Sequence, residues 1–80
     1  MQDGISLAQI CPGQRARVVG LYSKGRMRRR LLDIGLIENT EVKCVGTSPT
    51  GGMSAYLIRG AVIAIRSENA KEIIVTTRMN

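Results

Sequence analysis

The sequence contains no histidine, phenylalanine or tryptophan, and it has only two cysteines and two tyrosines. Histidine is the commonest general acid–base residue and a frequent ligand of zinc and iron. The two cysteines, Cys11 and Cys44, are distant in sequence, and the acidic residues are not paired into a carboxylate site. We therefore expect no catalytic residues, no metal ligands and no other cofactor, and the protein is not expected to be an enzyme.

Long apolar segments are also missing. No apolar run approaches the ~20 residues that a membrane-spanning helix needs. The first residues lack the basic and apolar regions of a signal peptide. Ile10, which precedes Cys11, is too large for a lipidation site. These features predict a cytoplasmic protein whose thiols stay reduced and are buried or inert.

Negative charge is absent between Gly4 and Leu32, although the whole chain carries a net charge of +6. The basic residues in this interval are Arg15, Arg17, Lys24, Arg26, Arg28, Arg29 and Arg30. A strongly basic segment suits phosphate, an anionic membrane surface or an acidic protein partner.

The 80 residues suffice for one small domain, which we expect to span 1–80. Isoleucine and valine dominate the apolar residues, and β-branched side chains favour strands. The expected strands are Gln14–Tyr22, Thr40–Ser48, Ala55–Arg59, Ala61–Arg66 and Ile73–Thr77, with single helical turns at Ser6–Ile10 and Ser67–Lys71. Gly60 is expected to form a tight turn or bulge. About five short strands predict a mainly β fold, a small barrel whose closure would remove the sheet edges.

One short α-helix, at about residues 24–34, is expected to be inserted after the first strand. Met27, Leu31 and Ile34 fall on one narrow stripe at 100° per residue. Ser23 is a candidate N-cap. Gly35 can adopt the left-handed conformation that ends a helix, and Leu36 would then fold back on Leu31 in a Schellman motif.

The opposite side of this helix is basic and allows two interpretations. One is a solvated face with an ion pair from Asp33 to Arg29 or Arg30, which would contribute ~0.3–0.5 kcal/mol. The other is a docking face for an acidic surface or phosphate. Lys24 and Arg26 lie in the first turn, where positive charge opposes the helix dipole at a cost of ~0.3–1 kcal/mol each. Local stability alone would not select them.

Leu32 lies off the apolar stripe and is either an exposed anchor beside Arg28 or packed against the N-terminal segment. The candidate partner-binding residues are therefore Lys24, Arg26, Arg28, Arg29, Arg30 and Leu32. An exposed barrel edge is a further candidate contact, either for a strand of a partner or for a second copy of the chain.

Several segments, in this order and spacing, carry a resemblance to a known family. They are Pro12-Gly13-Gln14, residues 29–36 (RRLLDIGL), residues 48–52 (SPTGG), residues 56–60 (YLIRG), residues 63–66 (IAIR), and Ala70 with Ile73 and Val75. From about Ile5 to Val75 the chain resembles the FeoA family, ferrous iron transport protein A. Glu38-Asn39 departs from the Pro-Gly that the family often has there, but both pairs can form a turn.

The resemblance implies an SH3-like barrel and a cytoplasmic accessory module of the membrane ferrous iron transporter FeoB, which carries a GTPase domain. It supplies no catalytic or metal-binding residues. The membrane would be reached only through this partner. A small basic barrel that binds nucleic acid is the alternative. The low aromatic content argues against it, because single-stranded nucleic acid is usually held by stacking on aromatic side chains.

Overall fold

The computed structural model describes residues 4–78. Its elements are β1 (Ile5–Ser6), a 3-10 turn (Leu7–Gln9), β2 (Arg15–Leu21), α1 (Gly25–Asp33), β3 (Glu41–Thr47), β4 (Met53–Ile58), β5 (Ala61–Arg66), α2 (Ser67–Ala70) and β6 (Ile73–Thr76). The strands form one antiparallel sheet in the order β1-β6-β2-β3-β4-β5. The predicted fold class is confirmed, with one strand more than expected. Ser6 pairs with Ile74 in β1, and the helical turn begins after it.

The core is aliphatic and lies on the inner face of this curved sheet. Alternate residues of the central strands point inward, which is why each strand contributes two buried side chains from a short run. The buried residues from the four strands β2, β3, β4 and β6 are Ala16, Val18, Val42, Cys44, Tyr56, Ile58, Ile73 and Val75. Of the two cysteines, Cys44 is a buried free thiol in the core, whereas Cys11 is an exposed free thiol.

The barrel is closed by packing and not by a continuous ladder of hydrogen bonds. β1 and β5 stand at the two ends of the strand order and do not pair with each other. Instead, the buried Tyr56 hydroxyl of β4 donates a hydrogen bond to the Leu7 carbonyl oxygen at 3.3 Å. The expectation that closure removes the sheet edges is therefore wrong for β5, whose far edge has no strand partner among residues 4–78.

The end of α1 follows the predicted motif. Gly35 has φ +99°, the Leu36 N–H donates to the Leu31 carbonyl at 3.0 Å, and the Gly35 N–H donates to the Leu32 carbonyl at 3.0 Å. These two bonds define a Schellman ending. The Gly35 carbonyl in turn accepts a hydrogen bond from the Thr40 hydroxyl at 2.8 Å. The helix is thus tied to the loop that leads into β3.

The start of α1 differs from the prediction. The N-cap is Lys24, not Ser23. The Tyr22 N–H still bonds to the Glu72 carbonyl, so the extended chain of β2 continues past Leu21. Its alternation turns the Ser23 side chain inward, where it is buried and its hydroxyl has no hydrogen-bond partner among the described residues. The helix consequently begins one residue later than predicted.

The hairpin between β4 and β5 is a tight turn, as Gly60 predicted. Arg59 and Gly60 both have positive φ, at 51° and 85°. Two consecutive residues of this kind form a type I′ turn, which suits the right-handed twist of the flanking strands. Among residues 4–78, no helix is both long and apolar enough to cross a membrane.

Candidate functional site: a basic face on helix α1

Helix α1 is oriented by its apolar stripe. Leu31 is buried, while Met27 and Ile34 are half-buried against the core. Docking by this stripe turns the rest of the helix toward solvent. The predicted candidates on that side, Lys24, Arg26, Arg28, Arg29 and Arg30, are all exposed. All five therefore face solvent, with Arg28 bonded to the end of β2 on one flank of the helix and Arg30 lining a groove on the other. These five residues are called here the basic face.

The predicted ion pair within this face is wrong. No ion pair joins Asp33 to Arg29 or Arg30 in the described part of the chain. An arginine placed N-terminal to an acid at this spacing has the less favourable orientation. An exposed pair also gains little over the separate hydration of its two charges. The positive charge of the basic face is consequently not neutralised by an acidic residue of the same helix.

Arg28 has a second role besides its charge. Its Nη1 donates a hydrogen bond to the Leu21 carbonyl oxygen at 2.9 Å. This bond connects the first turn of α1 to the end of β2. The bond restrains the guanidinium, and a restrained cation loses less entropy when it binds a partner than an unrestrained one.

Leu32 adds an apolar side chain at the C-terminal end of the basic face. Its side chain is 39% exposed, so of its two possible placements the structure shows the exposed one. It follows Arg28 by four residues, which places the two side chains next to each other on the helix surface. An apolar anchor bordered by cations is a common composition for a protein-binding surface.

Sequence reasoning missed Arg59, which the fold brings to the C-terminal end of α1. Its Nε donates to the Gly35 carbonyl at 3.4 Å, and its side chain covers Gly35 so closely that a Cβ there would lie 2.5 Å from the Arg59 Cδ. A cation near the last carbonyls of a helix is favoured by the dipole. Only the absence of a side chain at Gly35 signalled that another chain segment approaches it.

Sequence reasoning also missed a groove of about 530 Å³ that lies between α1 and strand β5. Its lining combines residues of α1 and its C-cap with Met53 of β4 and with residues of β5 and α2, all of them distant from α1 in sequence. No local pattern could have predicted it. Its α1 wall presents Met27, Leu31 and Ile34, with Arg30 as the basic residue on that side.

Among residues 4–78, no group of three or more cysteine, histidine or acidic side chains could hold a metal ion. The basic face itself repels cations. What this arrangement can do chemically is bind an anionic surface through several guanidinium groups, which are always charged and donate hydrogen bonds in a fixed planar geometry.

Comparison with known proteins identifies solved structures that are similar to this chain. No curated protein sequence matches it. Among solved structures, a FeoA-like protein from Clostridium acetobutylicum is 29% identical, with a TM-score of 0.87, and the match covers 100% of this chain and 93% of the other. FeoA from Chlorobium tepidum is 25% identical, with a TM-score of 0.85 and coverage of 95% and 73%.

A third structure shows the same fold. Stenotrophomonas maltophilia FeoA, a prokaryotic SH3 domain protein in complex with zinc, is 24% identical, with a TM-score of 0.78 and coverage of 89% and 88%. The family model of the FeoA domain matches residues 5–77. With this match spanning almost the whole chain, and with the predicted barrel and inserted helix observed, the protein belongs to the FeoA domain family.

Proposed function

We propose that this protein is a cytoplasmic accessory module of a ferrous iron uptake system and binds the FeoB-type membrane transporter on its GTPase domain. The basic face of α1, with Leu32 as its apolar anchor, is the proposed contact. Family membership supports the iron-uptake role. The relative from Stenotrophomonas maltophilia is described as possibly acting as a ferrous iron transport activating factor.

The observation that carries the proposal is a structured helix whose exposed side holds five cations without an acidic partner on the same helix. Like charges on one helix face destabilise the helix by several tenths of a kcal/mol per pair at helical spacing. Such a surface lowers the stability of the helix but favours association with an acidic partner. It also speeds association, since long-range attraction raises the encounter rate.

The first turn of α1 supports the same conclusion. Lys24 and Arg26 stand at the positive end of the helix dipole, and no acidic residue occupies that turn. Each positive charge there costs ~0.3–1 kcal/mol at low salt. The Lys24 side chain makes no capping hydrogen bond that would offset this cost. Function, more than local stability, accounts for cations at these positions.

Charge reversal tests the contact. The double variant Arg26→Glu/Arg29→Glu places acids on the basic face without touching the apolar stripe or the Arg28 bond. Against an acidic partner, like-charge contacts cost several kcal/mol, so affinity should fall by at least about tenfold. The assay is titration of the chain into the purified GTPase-bearing cytoplasmic region of the transporter, at low and high salt.

The matched control is Lys71→Glu/Arg78→Glu, which changes the net charge by the same amount outside α1. Loss of affinity in the first variant only would identify the basic face. Equal losses in both variants would mean that net charge, not this face, drives binding. An unchanged affinity in the first variant would exclude the basic face as the contact.

Nucleic acid remains the rival partner because several exposed guanidinium groups also suit phosphate. Tyr56 is buried, and Tyr22 is the one aromatic side chain that the described structure exposes. A single aromatic gives a poor stacking platform. The rival predicts binding to single- or double-stranded nucleic acid that weakens with a log–log salt slope of about −0.7 to −0.9 per phosphate contacted. No binding at low salt would eliminate it.

A further inference from the structure

The open edge of strand β5 is a second surface with its own chemistry. β5 is six residues long, and five of them, Ala61–Ile65, are apolar. It ends the strand order, so within residues 4–78 only β4 pairs with it. Proteins usually protect such an edge with an inward charge, a proline or a bulge, because an uncovered apolar edge invites aggregation. Here the register between β4 and β5 is unbroken, and within β5 the single charge is the terminal Arg66.

The hairpin geometry identifies which backbone groups are unpaired. In a two-residue type I′ hairpin, the residues that flank the turn form a hydrogen-bonded pair, here Ile58 and Ala61. Hydrogen-bonded and non-bonded pairs then alternate along an antiparallel ladder. Val62 and Ala64 occupy non-bonded positions opposite Leu57 and Ala55. Their N–H and C=O groups therefore point away from β4, toward the open edge.

This edge runs along the groove beside α1. Met27, Leu31 and Ile34 form one wall of the groove, and residues 63–66 of β5 form the other. On the outer side of the sheet, Val62 is 64% exposed and its cross-strand partner Leu57 is 38% exposed. A strand added to β5 would thus find apolar contacts on both faces, because its side chains alternate between the groove and the outer surface.

The positive charge around the groove favours an acidic partner segment over a second copy of the chain. The groove is bordered by Arg30 on α1 and Arg66 at the end of β5, against one acidic residue, Glu68. A second copy of the chain would bring another net charge of +6 to this edge. Repulsion between two such copies disfavours edge-to-edge self-association. An extended segment with apolar residues at alternate positions and acidic residues near its ends fits both the edge and its border.

We propose that β5 binds an extended acidic–apolar segment of the transporter by strand addition, with hydrogen bonds to the backbone of Val62 and Ala64. The identity of the partner rests on the proposed function, but the strand-addition site itself does not. The site adjoins the basic face, because Arg30 belongs to that face and also borders the groove. The two surfaces would therefore engage one partner at two places.

Amide hydrogen exchange measured residue by residue tests the site. In the free protein, the amides of Val62 and Ala64 should exchange fast, while those of Ile63 and Ile65, bonded to β4, should be protected. Two probes are added separately, the GTPase-bearing cytoplasmic region of the transporter and a synthetic peptide with valines at its central positions and glutamates near its ends. With each probe, the Val62 and Ala64 amides should become protected.

The variant Ala64→Pro removes one outward N–H without breaking the bonds to β4, because proline is tolerated where the N–H faces solvent. It should lower affinity for either probe by about tenfold or more, since an acceptor in the added strand loses its donor. Val62→Pro should act in the same way. The matched control is Val45→Ala, an exposed apolar position in β3 outside the proposed site, and it should bind as the natural protein does.

The outcomes separate this inference from the proposed function. If the transporter binds while Val62 and Ala64 stay unprotected and Ala64→Pro binds normally, the strand-addition site is wrong and the proposed function stands. If the peptide protects the edge and the transporter does not bind, the site stands and the proposed function fails. Concentration-dependent protection without any probe would overturn the inference in favour of self-association. No protection with either probe would also overturn it.

Discussion

Replacing Gly35 with alanine should destabilise the fold through two separable effects. Gly35 has φ +99°, in the left-handed region, where an L side chain costs roughly 1–2 kcal/mol. A Cβ there would also lie 2.5 Å from the Arg59 Cδ and 2.7 Å from the Arg59 Nε. The Arg59 side chain would have to move, and its bond to the Gly35 carbonyl would be lost. Because that bond is long and exposed, the backbone effect should dominate.

The expected loss is therefore about 1–2 kcal/mol, and each kcal/mol lowers the midpoint by roughly 4–8 °C in a domain of this size. Urea and thermal unfolding followed by circular dichroism would measure it. The matched control is Gly46→Ala, where a Cβ meets no atom within 4 Å and φ is not positive. That variant should stay within about 0.5 kcal/mol of the natural protein.

A double variant separates the two effects. In an Arg59→Ala background, the clash is removed, so Gly35→Ala should cost slightly less than in the natural protein, and most of its cost should remain as the backbone effect. If Gly35→Ala were as stable as Gly46→Ala, the left-handed helix ending would not be required. If the cost vanished in the Arg59→Ala background, the clash alone would explain it.

Three further results are expected. Tyr56→Phe should lose about 0.5–1.5 kcal/mol in urea unfolding, because the Leu7 carbonyl loses its buried donor, and full stability would contradict a stabilising role for this bond. Burial raises the pKa of Tyr56, and a hydrogen bond with Ser54 partly opposes that rise. The natural protein should therefore lose stability above about pH 10, where the unfolded chain releases a proton that the folded chain retains. Tyr56→Phe should lack this component of the pH dependence. Identical stability–pH profiles for the two proteins would contradict the raised pKa. Ser23→Ala should be neutral or stabilising, since the buried hydroxyl has no hydrogen-bond partner in the described part of the chain, whereas a loss near 1 kcal/mol would restore its predicted role as the helix cap.

Local patterns predicted most of the fold. The stripe of Met27, Leu31 and Ile34 located α1, and Gly35 located its end, because both signals depend only on neighbouring residues. The prediction at Ser23 was wrong because the strand before it continues past Leu21 through a bond to Glu72, which is distant in sequence. The strand at Ile5–Ser6 was missed for the same reason, since a two-residue strand is defined by its partner and not by its own pattern.

The candidate site was predictable to the same extent. Charge and helical spacing placed the arginines on one face, and the structure confirms their exposure. The placement of Arg59 beside Gly35 depends on the β4–β5 hairpin meeting the end of α1, which no local pattern encodes. The unpaired edge of β5 depends on the strand order, so the sequence alone offered both a closed barrel without edges and an exposed barrel edge as a contact, without identifying β5.

The central claim is that the basic face of α1 binds the transporter. The most direct test is calorimetric titration of the natural chain and of Arg26→Glu/Arg29→Glu into the GTPase-bearing cytoplasmic region of the FeoB-type transporter from the same organism. We predict saturable binding by the natural chain, weaker at high salt, and a loss of at least about tenfold in the variant. Absence of binding by the folded natural chain at low salt, or equal binding by the two proteins, would contradict the claim.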